Sequence, residues 1–242
     1  MPIIVTTQLL GLVKEEKVML RAELQALKEC QIKFLNSAIV SVGVILGLPE
    51  LFKHGSDPIL SSAYLVPLVI LIPCWWGFFD KAKTITRIVG YFRILERLAL
   101  VQDGHQAVGI ERFLGWENSV SEYRAWERRG RFKAFHNRKP PTALEIMEAC
   151  FLVPSQRYWS LAYYTFLIFC VLCVVIALVR IWGTPAFHSS MAVLVLASLL
   201  AVAYSFIWNT AILWALMWGR HSYSATLVYW QHILGTPPPG AR

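Results

Sequence analysis

SMAVLVLASLLAVAYSFIWNTAILWALMW, Ser190–Trp218, runs for 29 residues without one formal charge. A helix rising ~1.5 Å per residue needs ~20 residues to cross ~30 Å of hydrocarbon, so this stretch reads as a transmembrane helix with length to spare. Two further stretches pass the same test: Ile59–Phe79 has no charged residue, and Tyr158–Trp182 has only Arg180, near its end. Phe34–Leu48 is shorter. It reaches a span by extending to Phe52 and letting Lys33 snorkel, or by locally thinning the bilayer. The rest of the composition agrees: 56% of the 242 residues are hydrophobic, and the mean hydropathy is +0.50, above an ordinary globular chain.

Charge orients these spans. Fourteen of the 23 Lys and Arg residues lie in Asp80–Tyr158, five precede Phe34, and the two short loops hold almost none. By the positive-inside rule the central segment and both termini face the cytoplasm, with Pro49–Pro58 and Gly183–Ser189 outside. Aromatic belts are expected at the cytoplasmic ends, from Trp75, Trp76, Phe78 and Phe79, from Tyr158, Trp159, Tyr163 and Tyr164, and from Trp214 and Trp218. Met1–Val13 lacks the basic start and A-x-A site of a secretory signal, so none is expected. The fold class is all-α: a polytopic protein of the inner membrane, bacterial in style, with four transmembrane helices and cytoplasmic helical extensions. Its segments are a cytoplasmic amphipathic helix (1–33), spans at 34–52, 59–79, 158–182 and 190–218, a cytoplasmic helical segment (80–157), and an interfacial helix with a disordered tail (219–242).

The cytoplasmic extensions carry apolar stripes. Val13, Leu20, Leu27 and Phe34 recur every seven residues with Leu24 between them, a coiled-coil-like spacing, and Ile85, Ile88, Phe92, Leu95 and Ala99 keep the 3-4 spacing past the second span. Each stripe suits packing on the other within a chain as well as packing on a second copy. Ile110–Lys133 reads as a further helix, and Thr142 with Glu145 forms a capping box that starts a short helix over Ala143–Leu152. Tyr223, Leu227, Trp230 and Leu234 share one side of a helix expected at headgroup level.

Polar and small residues inside apolar spans are the functional candidates. On the first span Asn36, Gly43 and Gly47 share an arc with Ser37 and Ser41 beside them, and Gly43–Gly47 is a G-x-x-x-G, which permits close backbone approach. That arc serves either packing on another span or self-association and pore lining. On the fourth span Ser205, Asn209 and Thr210 lie together, and an Asn209 bond to Asn36 or Ser37 is expected. Pro67 and Pro73 are expected to kink the second span. No acid or Lys lies centrally in a span, which argues against a proton relay or coupled transporter.

Arg124, Arg128, Arg129, Arg131, Lys133, Arg138 and Lys139 are interleaved with Trp126, Phe132 and Phe135. Beside a bilayer this mixture suits anionic headgroups, at ~1 kcal/mol per basic residue, ahead of an acidic protein partner and of nucleic acid. Arg131 and His136 share the R-x4-H spacing of an RNase superfamily, but Phe132 fills a position that is polar there, and no activity is carried over. Cys170 and Cys173 in a span read as small apolar fillers, and the odd total of five Cys gives no reason to expect disulfides. No phosphate loop, metal-ligand set, nucleophile elbow or carboxylate dyad is present, so neither a cofactor nor enzymatic activity is expected.

Two spans, a cytoplasmic segment and two more spans resemble the flagellar-stator channel family in layout, although the third and fourth spans lack its Gly/Pro/Thr-rich pore pattern. The expected function is a homo-oligomeric channel or pore gated by its cytoplasmic helices, of the kind that serves as a membrane effector in stress or antiviral defence. The alternative is a membrane scaffold whose basic cytoplasmic helices recruit a soluble partner.

Overall fold

The computed structural model describes residues 7–51, 62–100, 115–128, 154–182 and 189–235, and among these every regular element is helical. The elements are α1 (Thr7–Leu51), a 3-10 turn (Ala63–Leu65), α2 (Leu68–Leu100), α3 (Trp116–Arg128), α4 (Pro154–Trp182), α5 (Ser189–Met217) and α6 (Tyr223–Gly235). Three stretches are long and apolar enough to cross a membrane: Ala63–Glu96, Arg157–Arg180 and Met191–Met217. They make the chain a multi-pass membrane protein. The fourth expected span is the end of α1, and only sixteen residues separate Lys33 from Glu50. As a helix they cover ~24 Å, short of ~30 Å of hydrocarbon.

The outer loops beyond Leu51 and Trp182, the capping box at Thr142, Ala143–Leu152 and the tail from Thr236 all lie outside the described residues. Within the candidate span Ala63–Glu96, Pro67 lies between the 3-10 turn and α2. Its carbonyl accepts the amides of Ile70 and Leu71 at 2.9 and 2.8 Å, so it sits just ahead of α2, where a missing N–H costs nothing. Pro73 is inside α2.

The chain divides into two compact units, and α1, α2 and α5 each contribute to both. The first unit takes residues 1–28, 82–141 and 215–242. Its core joins Val13 and Leu20 of α1, Ile88, Tyr91, Ile94 and Leu95 of α2, Tyr123 of α3, and Tyr229, Trp230, Ile233 and Leu234 of α6. The two apolar stripes therefore meet within a single chain. α6, expected at headgroup level, is packed on protein: Trp230 and Leu234 are buried. Gly90 makes this possible, because a Cβ there would stand 3.0 Å from both Thr226 Oγ1 and Trp230 Cδ1.

The second unit takes residues 29–81 and 142–214. Aromatic rings dominate its interior: Trp75 stacks on Phe166 at 6.2 Å between centroids and meets Tyr163 edge-on at 5.4 Å, while Phe78 lies 5.9 Å from Phe166 and 5.7 Å from Tyr158. Offset and edge-to-face pairs of this kind add to the area they bury. Of the belt expected to close the second span, Trp75, Phe78 and Phe79 are thus inside the protein and Trp76 is exposed. Val195, Val202, Ser205 and Asn209 form the buried side of α5, whereas Leu196, Leu200, Ile207 and Trp208 are exposed, which suits a helix bathed in lipid.

Candidate functional site

Two sides of α1 behave differently in the second unit. The Gln31 amide donates to the Phe78 carbonyl at 3.0 Å, and the Phe34 ring fills the space above Gly77, where a Cβ would come within 2.9 Å of it. Ala38 and Val42 complete this covered side. The steps 31, 34, 38 and 42 follow the 3-4 rhythm of one helix face. The Gln31 bond was not anticipated from the sequence, although Gln31 falls in the same rhythm as Leu24 and Leu27.

Asn36, Ser37, Gly43 and Gly47 are exposed on the other side. No heavy atom comes within 4 Å of a Cβ built on Gly43 or Gly47. Ser41 is half-buried at the margin and its hydroxyl donates to Ala38 O at 2.8 Å, inside its own helix. Of the two uses expected for this arc, packing on another span of the same chain is not the one seen among the described residues.

On α5 the buried Asn209 amide donates to Ser205 O at 2.9 Å, Ser205 donates to Ala201 O at 2.7 Å, and Thr210 donates to Phe206 O at 2.6 Å. Each polar side chain back-bonds one turn up its own helix. The expected link from Asn209 to Asn36 or Ser37 is absent, because the latter two are on the exposed side of α1. Asn209 Oδ1 has no hydrogen-bond partner among the described residues. Thr210 also pairs with the Tyr163 hydroxyl at 2.5 Å, a bond the sequence reading did not anticipate.

The first unit brings polar and charged groups of several helices together. Glu16 of α1 accepts the Trp116 amide at the start of α3 and the Tyr91 hydroxyl at 3.4 Å. Gly115, with φ +74°, turns the chain into that helix. Burial raises the Glu16 carboxyl above its ordinary range despite those two bonds. Arg87 Nη2 meets Glu127 Oε2 at 2.7 Å, its guanidinium lies 5.3 Å from the Tyr123 ring, and its backbone carbonyl accepts the Trp230 indole N–H at 2.9 Å. His221 is buried with Nε2 3.9 Å from Glu127 Oε1. Desolvation, followed by the charges of Arg87, Arg220 and Lys83, lowers its pKa to about 3, so the ring is neutral at physiological pH.

Of the expected basic surface, Arg124 is exposed on α3 and Arg128 ends that helix, while Arg129, Arg131, Lys133, Arg138 and Lys139, with His136, lie outside the described residues. Cys170 and Cys173 are buried free thiols on α4. Among the described residues no three His, Cys, Asp or Glu side chains gather as a metal site. Compared with known proteins, the chain matches no family model, no curated protein and no solved structure.

Proposed function

We propose that this is a four-pass inner-membrane protein that assembles with copies of itself around residues 34–51 of α1 and conducts through the axis so formed, with the first unit as its gate. The observation that carries the reading is the uncovered Asn36, Ser37, Gly43 and Gly47 side of α1. An amide and a hydroxyl left facing hydrocarbon lack partners, and water in a lumen or a polar group of a second copy supplies them. The two glycines leave a strip on which another backbone fits closely. A conductance of this kind, coupled to an extramembrane unit, suits a conditional effector in stress or antiviral defence.

The test combines stoichiometry with flux. Native mass spectrometry of the purified chain is expected to give a closed ring of four or more copies, and liposomes containing it are expected to release a small dye or ions. Replacing both Gly43 and Gly47 with Leu is expected to dissolve the ring and stop release while the helical circular dichroism persists. A monomer or dimer that passes nothing overturns the channel and leaves the membrane scaffold, whose readout is a cytoplasmic partner lost on charge reversal at Arg128, Arg129 and Arg131.

A further inference from the structure

Lys83 and Arg87 are one turn apart on α2, four and eight residues past Phe79, where the charge-free second span ends. Arg220 and His221 sit in the turn after α5, three and four residues past Met217, where that candidate span ends. Helical rise puts Lys83 ~6 Å past the apolar segment, within the ~5–8 Å of a headgroup layer, and Arg87 at ~12 Å, just beyond it. The turn is fixed: the His221 amide donates to Ala215 O at 2.9 Å and the Ser222 amide to Gly219 O at 3.0 Å.

Positive charge gathers around His221. Lys83, Arg87 and Arg220 act on the ring, and Arg87 holds the Glu127 carboxylate at 2.7 Å. Glu127 on one edge and the Tyr123 ring on one face fix the guanidinium. Two buried nitrogens of this cluster, Arg87 Nε and His221 Nδ1, have no hydrogen-bond partner among the described residues. His221 is only 4% exposed. A buried Arg N–H without an acceptor is costly, and nearly all such groups in folded proteins are paired. Arg220 is exposed at the rim and Lys83 half-buried, which leaves an approach for a ligand that brings acceptor oxygens and negative charge.

We propose that Lys83, Arg87, Arg220 and His221 form a binding site for a phosphate group, with Arg87 Nε and His221 Nδ1 as the inner donors and Lys83 and Arg220 as the outer charges. A phosphate oxygen accepts from the fixed guanidinium edge, in the charge-assisted manner common to Arg sites. The site is independent of the channel reading and requires only that the apolar parts of α2 and α5 end at the membrane surface. Its ligand is a phosphodiester headgroup in the leaflet or a free phosphate anion.

The full chain in nanodiscs tests this. With mixed phosphatidylglycerol and phosphatidylcholine, the wild type is expected to retain phosphatidylglycerol adducts in native mass spectra. Lys83→Ala and Arg220→Ala are each expected to weaken that retention about fivefold, the effect of one basic residue near a lipid surface. Lys28→Ala, at an exposed position on α1 outside the cluster, is expected to leave it intact. In a neutral detergent, inorganic phosphate is titrated while the His221 ring resonance, assigned with His221→Gln, is followed. A bound anion offsets the cations and moves the ring's titration upward toward its ordinary value. Lipid retention without a phosphate response assigns the headgroup, and a phosphate response without lipid preference assigns the free anion. If neither probe separates the wild type from Arg220→Ala, with both proteins equally helical, the site does not exist.

Discussion

The Trp230 indole N–H donates to the backbone carbonyl of Arg87 at 2.9 Å across 143 residues of chain, and so ties the last described helix to the middle of α2. Tyr123 and Tyr91 pack on the same indole at 4.8 and 5.1 Å between centroids. The bond and the burial act together. Trp230→Ala is expected to cost about 3–5 kcal/mol through the cavity it opens. Trp230→Phe, which keeps most of the volume and loses the bond, is expected to cost about 1 kcal/mol. Thermal melting of the detergent-solubilised chain, read by circular dichroism, ranks the two, and equal melting temperatures for all three proteins contradict the docking of α6.

Gly77 and Phe34 form the corresponding contact between α2 and α1. A Cβ on Gly77 meets the end of the Phe34 ring at 2.9–3.0 Å, so Gly77→Ala makes the ring move at a cost of about 1 kcal/mol. In Phe34→Ala the same methyl enters space already vacated. The double variant is therefore expected to be more stable than the sum of the two singles predicts, by about 0.5–1 kcal/mol. Strict additivity means that the ring and the glycine do not touch.

These two contacts show what the sequence conveys. Uninterrupted apolar length names the three long spans, because hydrocarbon thickness imposes a minimum that soluble helices seldom meet. The helical wheel groups Asn36 with Gly43 and Gly47, and periodicity alone sorts Val13 and Leu20 from the charged residues around them. Which arc of α1 packs inside was not legible, since Ala38 and Val42 suit lipid as well as protein. The belt aromatics Trp75, Phe78 and Phe79 were misread for the same reason: a ring at a span's end suits both an interface and a core. Arg87, Glu127 and His221 were invisible because they are 40 and 94 positions apart, and no local spacing announces them.

Asn209 offers a test on α5. Its amide is buried, bonds its own helix at Ser205 O, and has an oxygen with no partner among the described residues. Asn209→Leu removes that oxygen and its local bond together, and is expected to be neutral or to stabilise by about 1 kcal/mol. Melting in detergent measures it. A loss of several degrees assigns the Asn209 oxygen a partner the described residues do not include.

His221 predicts how the first unit responds to acid. The groups that face it are Arg87 and Lys83 on α2, Glu127 on α3 and Arg220 beside it in the turn. Its folded pKa of about 3 lies below the ~6.5 of an unfolded histidine. Between those values the unfolded chain binds a proton that the folded chain refuses. The stability associated with a neutral buried ring is therefore complete above about pH 6.5 and falls as the solution is acidified toward about pH 3, by at most ~1.4 kcal/mol per pH unit. His221→Gln keeps a polar side chain of similar reach without the titration, so its melting temperature is expected to fall less steeply over that window. Identical slopes for the two proteins, measured in phosphate-free neutral detergent, mean that His221 is not held neutral by its surroundings.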